Sequence, residues 1–298
     1  MRIVVTGALG FIGSHFVKYI FNKNELNEIL VVDKCTYASN IDNLQGVKYD
    51  FIQKDICDIK PENLGEYDYL VNFAAESHVD NSIKDGRPFV RTNVEGTFNL
   101  LEVARQNPNL KKFVQISTDE VYGDMLDYGM EVEATVDFNL FGSSYYSATK
   151  ASADLLVQAA GRTYGLPYLI TRTCNNYGKN QHQEKLLPTI INCIKNDIPI
   201  PVYGDGLNIR EWIHADDNSK AIFDFMMSDT IGVKNIGSGE RHTNLEIIGI
   251  IEKILNKPVK FNFVEDRKGH DKIYALVSDY EGGLDYTLKK YLKECLES

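Results

Sequence analysis

The chain has 298 residues, 43% hydrophobic and 25% charged, enough to bury a sizeable core in one large domain or two closely joined ones. A formal net charge of −10 argues against nucleic acid or an anionic membrane as partner, yet leaves room for a local Arg/Lys pocket that takes a phosphorylated ligand. The five cysteines (35, 57, 174, 193, 295) include no Cys-x-x-Cys pair, no apolar run reaches transmembrane length, and a strand opens where a signal peptide would stand, so the expected location is the cytoplasm.

The first two-thirds alternates short apolar runs with helical patterns, which predicts an α/β fold with a doubly wound parallel sheet. Strands are expected at 2–6, 28–33, 47–52, 68–73, 111–117 and 166–172, and helices at 11–23, 88–107 and 145–164. Past about residue 175 the pattern changes. A helix near 184–195 and a strand near 200–203 precede a Gly204-Asp205-Gly206 turn. A strand–helix pair at 209–213 and 215–228, a helix at 243–256 and a strand at 259–264 follow, with a last helix at the end. No linker separates the parts, so two lobes packed together are expected, 1–175 and 176–298. Helix 145–164 is apolar nearly all round, with Ala148, Ala151, Leu155, Leu156 and Ala159 on different sides. Such a helix is buried twice: one side meets the sheet, and the other meets a partner subunit or, as the less favoured reading, a second helix of the chain.

Strand 2–6 runs into Gly7-Ala8-Leu9-Gly10-Phe11-Ile12-Gly13 and then a helix. Glycines there allow a tight turn and let backbone N–H groups approach a pyrophosphate at the helix N-terminus. Asp33 ends the second strand, where a carboxylate accepts from ribose hydroxyls and repels a 2′-phosphate; this favours NAD over NADP, against the mild counter-signal of Lys34. The apolar run Phe113, Val114, Ile116 leads to Thr118-Asp119-Glu120. Two adjacent carboxylates at the mouth of a strand are costly unless water, partners or chemistry hold them there. Tyr146 and Lys150 lie four apart on a predicted helix, so the ammonium is expected to lower the tyrosine pKa. The six histidines show no ligand spacing, and no catalytic metal is expected.

Ser117-Thr-Asp-Glu-Val-Tyr-Gly123 and Tyr146-Ser-Ala-Thr-Lys150 resemble the active-site segments of nucleotide-sugar 4,6-dehydratases, which are extended short-chain dehydrogenase/reductases. The resemblance runs from residue 1 to about residue 275. It takes in Asn72-Phe-Ala-Ala-Glu-Ser-His-Val-Asp80, Cys174-Asn-Asn-Tyr-Gly178, Glu184-Lys-Leu-Leu-Pro188, Val202-Tyr-Gly-Asp-Gly206, Arg210-Glu-Trp-Ile-His214 and Asp266-Arg-Lys-Gly-His-Asp271. It implies a Rossmann-type sheet with a smaller α/β C-terminal lobe for the substrate, with segment 205–230 returning to the first lobe. It also implies NAD as cofactor, a nucleotide-diphosphate sugar as substrate (dTDP-glucose in the best-known type), and a homodimer through the 145–164 face.

By the same resemblance NAD is held by Gly7, Gly10, Phe11, Ile12, Gly13, Asp33, Asp55, Ile56, Ala74, Ala75, Ser77, Thr92, Tyr146, Lys150 and Asn176. Asn175, Lys185, Leu186, Arg210, Arg267 and His270 hold the substrate's diphosphate and base, Pro201 and Tyr203 wall the base, and Ser77 and Thr118 touch the sugar. Tyr146 with Lys150 takes the C4 hydroxyl proton, Thr118 bonds that oxygen, Glu120 removes the C5 proton, and Asp119 protonates the departing C6 hydroxyl. UDP-sugar 4-epimerases lack the Asp-Glu pair and UDP-glucuronate decarboxylases have Ser in place of Asp119. A catalytically idle NAD-binding regulator would lose the Tyr or Lys. The chain departs from the family at three loop prolines (Tyr145, Lys179 and Gln183 stand there) and in a shortened segment after Ala275.

Overall fold

Runs of Val, Ile and Leu that are apolar on both faces suit parallel strands sandwiched between helices. In the computed structural model, which describes residues 1–24, 28–129 and 132–297, these runs form the centre of the molecule. The strands are β1 (Arg2–Thr6), β2 (Glu28–Asp33), β3 (Asp50–Gln53), β4 (Tyr69–Asn72), β5 (Lys112–Thr118) and β6 (Tyr168–Thr173). Around them lie α1 (Phe11–Lys23), the short helices α2 (Pro61–Leu64), α3 (Val79–Lys84) and α4 (Arg87–Phe89), then α5 (Thr97–Ala104) and α6 (Tyr145–Tyr164). The expected helix 88–107 is broken: between α4 and α5 the chain makes a wider π-helical turn over Val90–Gly96. That turn carries Asn93 to the backbone of Glu76 and to Thr149 Oγ1, tying α6 to the loop after β4.

The second part contributes β7 (Asn175–Tyr177), α7 (Leu186–Lys195), β8 (Ile200–Tyr203), β9 (Ile209–His214), α8 (Ala215–Met227) and β10 (Gly232–Ile236). It ends with β11 (Arg241–Thr243), α9 (Asn244–Leu255), β12 (Phe261–Val264) and α10 (Leu288–Glu297). Strand order in the large sheet is β10-β6-β5-β4-β1-β2-β3, every pair parallel. The order reverses between β1 and β4, and ligands of such sheets bind in the crevice outside the strand ends at that point. β10 was not anticipated from the sequence, because Lys234 and Asn235 interrupt its apolar pattern. Asn235 is fully buried there, accepting from Tyr122 Oη (2.6 Å) and donating to the Ala134 carbonyl (3.0 Å).

Two small sheets, β11-β9-β7 and β12-β8, make up the rest. Leu187, Ile190, Ile200, Trp212, Ile247, Ile251 and Leu288 form their own core, while Ala221, Ile222 and Met226 of α8 join Phe16, Val17 and Ile20 of α1 in the core of the large sheet. Among the described residues, no helix is long and apolar enough to cross a membrane and no His/Cys/Asp/Glu cluster could hold a metal ion.

Candidate active site

A cleft of about 670 Å³ opens at the switch point. Its floor is the turn after β1. A Cβ on Gly7 would meet the Ala74 backbone nitrogen at 2.5 Å, and one on Gly13 would meet the Gly7 oxygen at 2.5 Å. Only glycine lets β1, α1 and the loop after β4 approach this closely. Gly10 caps α1 without a side-chain hydrogen bond, so the first-turn N–H groups are left to face an anion. At the far end Asp33 is 5% exposed and fixed by three donors: Leu9 N–H (3.0 Å), Cys35 N–H (2.9 Å) and Ser39 Oγ (2.8 Å). Asp55 pairs with Lys34 at 2.8 Å, so Lys34 is neutralised where a 2′-phosphate would otherwise find it. A glycine cradle, a bare helix N-terminus and a buried carboxylate at the end of β2 together fit a dinucleotide without a 2′-phosphate.

The cleft's other wall carries the chemistry. Thr118 ends β5, its hydroxyl accepting from the Glu120 N–H (3.3 Å) and bonding Asp119 Oδ1 (3.2 Å). Asp119 is 4% exposed and its Oδ2 has no partner. Burial pushes its carboxyl up to about 8, helped by the negative charges of Glu120 and Glu211 and opposed by Arg210. Glu211 accepts from the N–H groups of Ser238 and Gly239 and from Arg241 Nε. Glu120 is also raised by burial, but Arg267, Arg210 and Lys185 pull it back. One carboxyl of the pair therefore holds a proton while its neighbour faces three cations.

Tyr146 and Lys150 face this pair from the first turns of α6, which a Ser144/Ser147 capping box starts. Lys150 is 5% exposed and donates to the Ile116 carbonyl; burial lowers its pKa to about 8. The expected lowering of the tyrosine pKa is not met. Burial, and next the charge of Glu120, push the Tyr146 phenol above its ordinary value, against the hydrogen bond from Thr118. Desolvation decides, and the Lys150 ammonium spends one proton on the Ile116 carbonyl.

Gly7, Gly10, Phe11, Ile12, Gly13, Asp33, Asp55, Ile56, Ala74, Ala75, Ser77 and Thr92 all line the cleft, as do Thr118, Glu120, Tyr146, Lys150, Asn175, Asn176 and Lys185. Asp119 sits behind its wall, and Leu186, Pro201, Tyr203, Arg210, Arg267 and His270 lie outside its lining. Arg210 is occupied already: it donates to the carbonyls of Ile209, Asp271 and Lys272 and stacks 4.2 Å over the Tyr274 ring. Arg267 is freer, with Asp80 at 3.8 Å and a buried Nε that has no partner. His270 bonds Asp266 at 2.6 Å, and burial with Arg267 lowers its pKa to about 4, so it is neutral. Tyr203 is 42% exposed on β8.

The sequence reading passed over Tyr37, Ser39, Asn40 and Asn43 after β2 and Asn180–Glu184 after β7, all of which line the cleft. These two loops meet across its mouth, Tyr37 edge-on to His182 with ring centroids 5.6 Å apart. Neither loop has a periodic pattern; the nearest signal is Asn180, a non-glycine residue at φ +69°.

The NAD dependent epimerase/dehydratase family matches residues 3–237. The low-salt glycan biosynthesis protein Agl12 of Haloferax volcanii is 46% identical over 284 residues, which covers 93% of this chain and 90% of that protein. The dTDP-glucose 4,6-dehydratase of Streptomyces griseus is 43% identical over 286 residues, 93% of this chain and 86% of its own. In structure, the chain is similar to the dTDP-glucose 4,6-dehydratase of Streptomyces venezuelae solved with NAD: TM-score 0.93, 38% identity, 100% of this chain and 96% of that one covered.

Proposed function

The chain belongs to the NAD dependent epimerase/dehydratase family, and we propose that within it this protein converts dTDP-glucose to dTDP-4-keto-6-deoxyglucose. The observation that carries the reading is the carboxyl pair at the end of β5, with Asp119 neutral up to about pH 8 beside Glu120. Exchange of configuration at C4 needs neither group; removal of water across C5 and C6 needs one acid and one base.

NAD, which the glycine turn after β1 and Asp33 would hold, would supply the redox chemistry as acceptor and then donor of a hydride. The chain's residues do the rest. As the phenolate, for which the Lys150 ammonium on the same helix face is the available cation, Tyr146 receives the C4 hydroxyl proton, with Thr118 Oγ1 bonding the C4 oxygen. The C4 ketone acidifies C5–H, Glu120 takes that proton, and Asp119 gives its own to the C6 hydroxyl, which leaves as water; once C6 has its hydride, Glu120 returns a proton to C5. Arg267 and Lys185, the cations felt by Glu120, meet the diphosphate, with Asn175 beside them. Residues 1–175 carry the cofactor and 176–298 the sugar nucleotide, apart from α8 and β10.

The same reading makes the protein a cytoplasmic homodimer. Buried Cys174 and Cys193 are thiols, as a reducing compartment keeps them. Ala148, Leu155 and Ala159 form an exposed stripe along α6, and Phe98 of the adjoining α5 is 54% exposed; a second copy would cover both.

Substrate deuterated at C4 tests the reaction. Internal return of hydride moves the label to C6 of the same product molecule. Label retained at C4, as an epimerase would leave it, or lost to solvent with none at C6, rules the dehydration out.

A further inference from the structure

Tyr146, Lys150 and Asp154 stand at i, i+4 and i+8 on α6 and so share one stripe of the helix. The third member has no part in the reaction as derived, yet Asp154 is fully buried. Its Oδ2 accepts from Arg172 Nε at 2.9 Å, and Oδ1 has no partner. The strands beneath it place each neighbour: β5 and β6 pair Ser117 with Arg172, and the Ile116 carbonyl one residue earlier takes the Lys150 ammonium. Arg172 is braced from behind by Tyr122 Oη at 2.9 Å, which in turn bonds Asn235. The carboxylate thus pairs with one buried cation and stands one helical turn from a second. An ion pair serving Arg172 alone has no need of a place one turn below the active-site lysine.

We propose that Asp154 is a positioning residue of the active site, holding the Lys150 ammonium charged beneath Tyr146, with Arg172 fixing the carboxylate for that task. Burial is the force it opposes: desolvation lowers the Lys150 pKa to about 8, and Asp154 is the charge that raises it. Without that charge, burial and the Arg172 guanidinium would both favour the neutral amine, which has nothing to offer a phenolate. The carboxylate also acts on Tyr146, though less than Glu120 does. Lys150 shares its helix stripe with Tyr146 and Asp154 and lines the cleft with Glu120, while Arg172 reaches the Asp154 carboxylate from β6. Lys112, at the other end of β5, is spent on the carbonyls of Phe225, Met226 and Ser228. Asp80, Lys84, Arg87, Arg91, Glu95 and Glu102, on the other elements packed against α6, are exposed or partly so.

The inference rests on Tyr146 and Lys150 being the reacting pair, but its test needs no substrate. The full-length protein, with its cofactor as purified, is labelled with trace acetic anhydride across a pH series, and Lys150 acetylation is read by peptide mass spectrometry. The expected midpoint is about 8 in the wild type. Asp154→Asn should lower it by about one unit or more, and Asp154→Glu should bring it back toward the wild type. Removing one partner of a buried pair can prevent folding, so Asp154→Asn/Arg172→Met, with both charges gone, is measured as well. A midpoint still lowered in that double variant supports the proposal. A midpoint unmoved in Asp154→Asn, or raised above the wild-type value in the double variant, overturns it and leaves Asp154 as a structural partner of Arg172. If only the double variant folds, its midpoint decides.

Discussion

Replacing Asp119 by Asn should make the protein more stable and stop elimination at once. The folded carboxyl keeps its proton up to about pH 8, against an ordinary value of 3.8. The sign follows from linkage. A carboxyl whose folded pKa is raised contributes stability that is fully present below 3.8 and is lost as pH rises through about 8. Between those limits each pH unit costs ~1.4 kcal/mol, so at pH 7 the wild type has forgone on the order of 4 kcal/mol. Asn has the shape of the neutral acid and nothing to ionise. Its extra N–H, left without a partner like Oδ2 now, costs about 1–3 kcal/mol, so a net gain near ~2 kcal/mol at pH 7 is expected.

Urea denaturation at pH 5, 6, 7 and 8 measures both quantities. Wild-type stability should fall along this series with a slope that the Asn variant lacks, and the gap between the two should widen with pH. Elimination should drop by on the order of 10²–10⁴-fold in the variant, because the amide gives no proton to the leaving hydroxyl. In the wild type the same step should fade above about pH 8, where Asp119 ionises. An Asn variant with the wild-type pH slope and no gain at pH 8 would mean that Asp119 is ionised in the folded protein, and it would lose its place as the acid.

The two arginines should separate. Arg267→Ala should raise KM by ~10–100-fold with kcat little changed, read in the same dehydration assay, because its half-buried guanidinium has an unpartnered Nε free for a ligand. Arg210→Ala should instead lower the melting temperature, since three carbonyls and the Tyr274 ring lose their cation. Equal melting temperatures with a raised KM would return Arg210 to the ligand set. Leu155→Glu should shift the protein from dimer to monomer in sedimentation velocity, and an unchanged sedimentation coefficient would remove the α6 stripe as the interface.

What the sequence makes legible depends on the range over which each feature is determined. β1, β2, β4, β5 and β6 are apolar on both faces, a local property, and they appear where the runs predict them. The glycines after β1 and the Thr118-Asp119-Glu120 triplet were legible for the same reason, since a strand end places whatever follows it at the mouth of the sheet. β10 was not, because its Asn235 is a strand residue only by virtue of Tyr122 and Ala134, more than a hundred positions away. Arg210 follows the same rule. Its charge suggested a phosphate ligand, but carbonyls of residues 271 and 272, brought in by tertiary folding, occupy it.

Protonation is the least local property of all. Two adjacent acids in a sequence show that a pair exists, without showing which of them is charged. Here the difference is made by Glu211 on β9, which acts on Asp119 and is bonded by Arg241 on β11 and two N–H groups of the turn before it, and by Arg267, Arg210 and Lys185, which act on Glu120. Tyr146 makes the same point with the opposite outcome. Its spacing from Lys150 promised a lowered pKa, yet the spacing did not include the burial that raises it or the Ile116 carbonyl that takes the ammonium. A reacting pair read from i, i+4 spacing is therefore a statement about position, while protonation is set by burial and by the charges the fold gathers around each group.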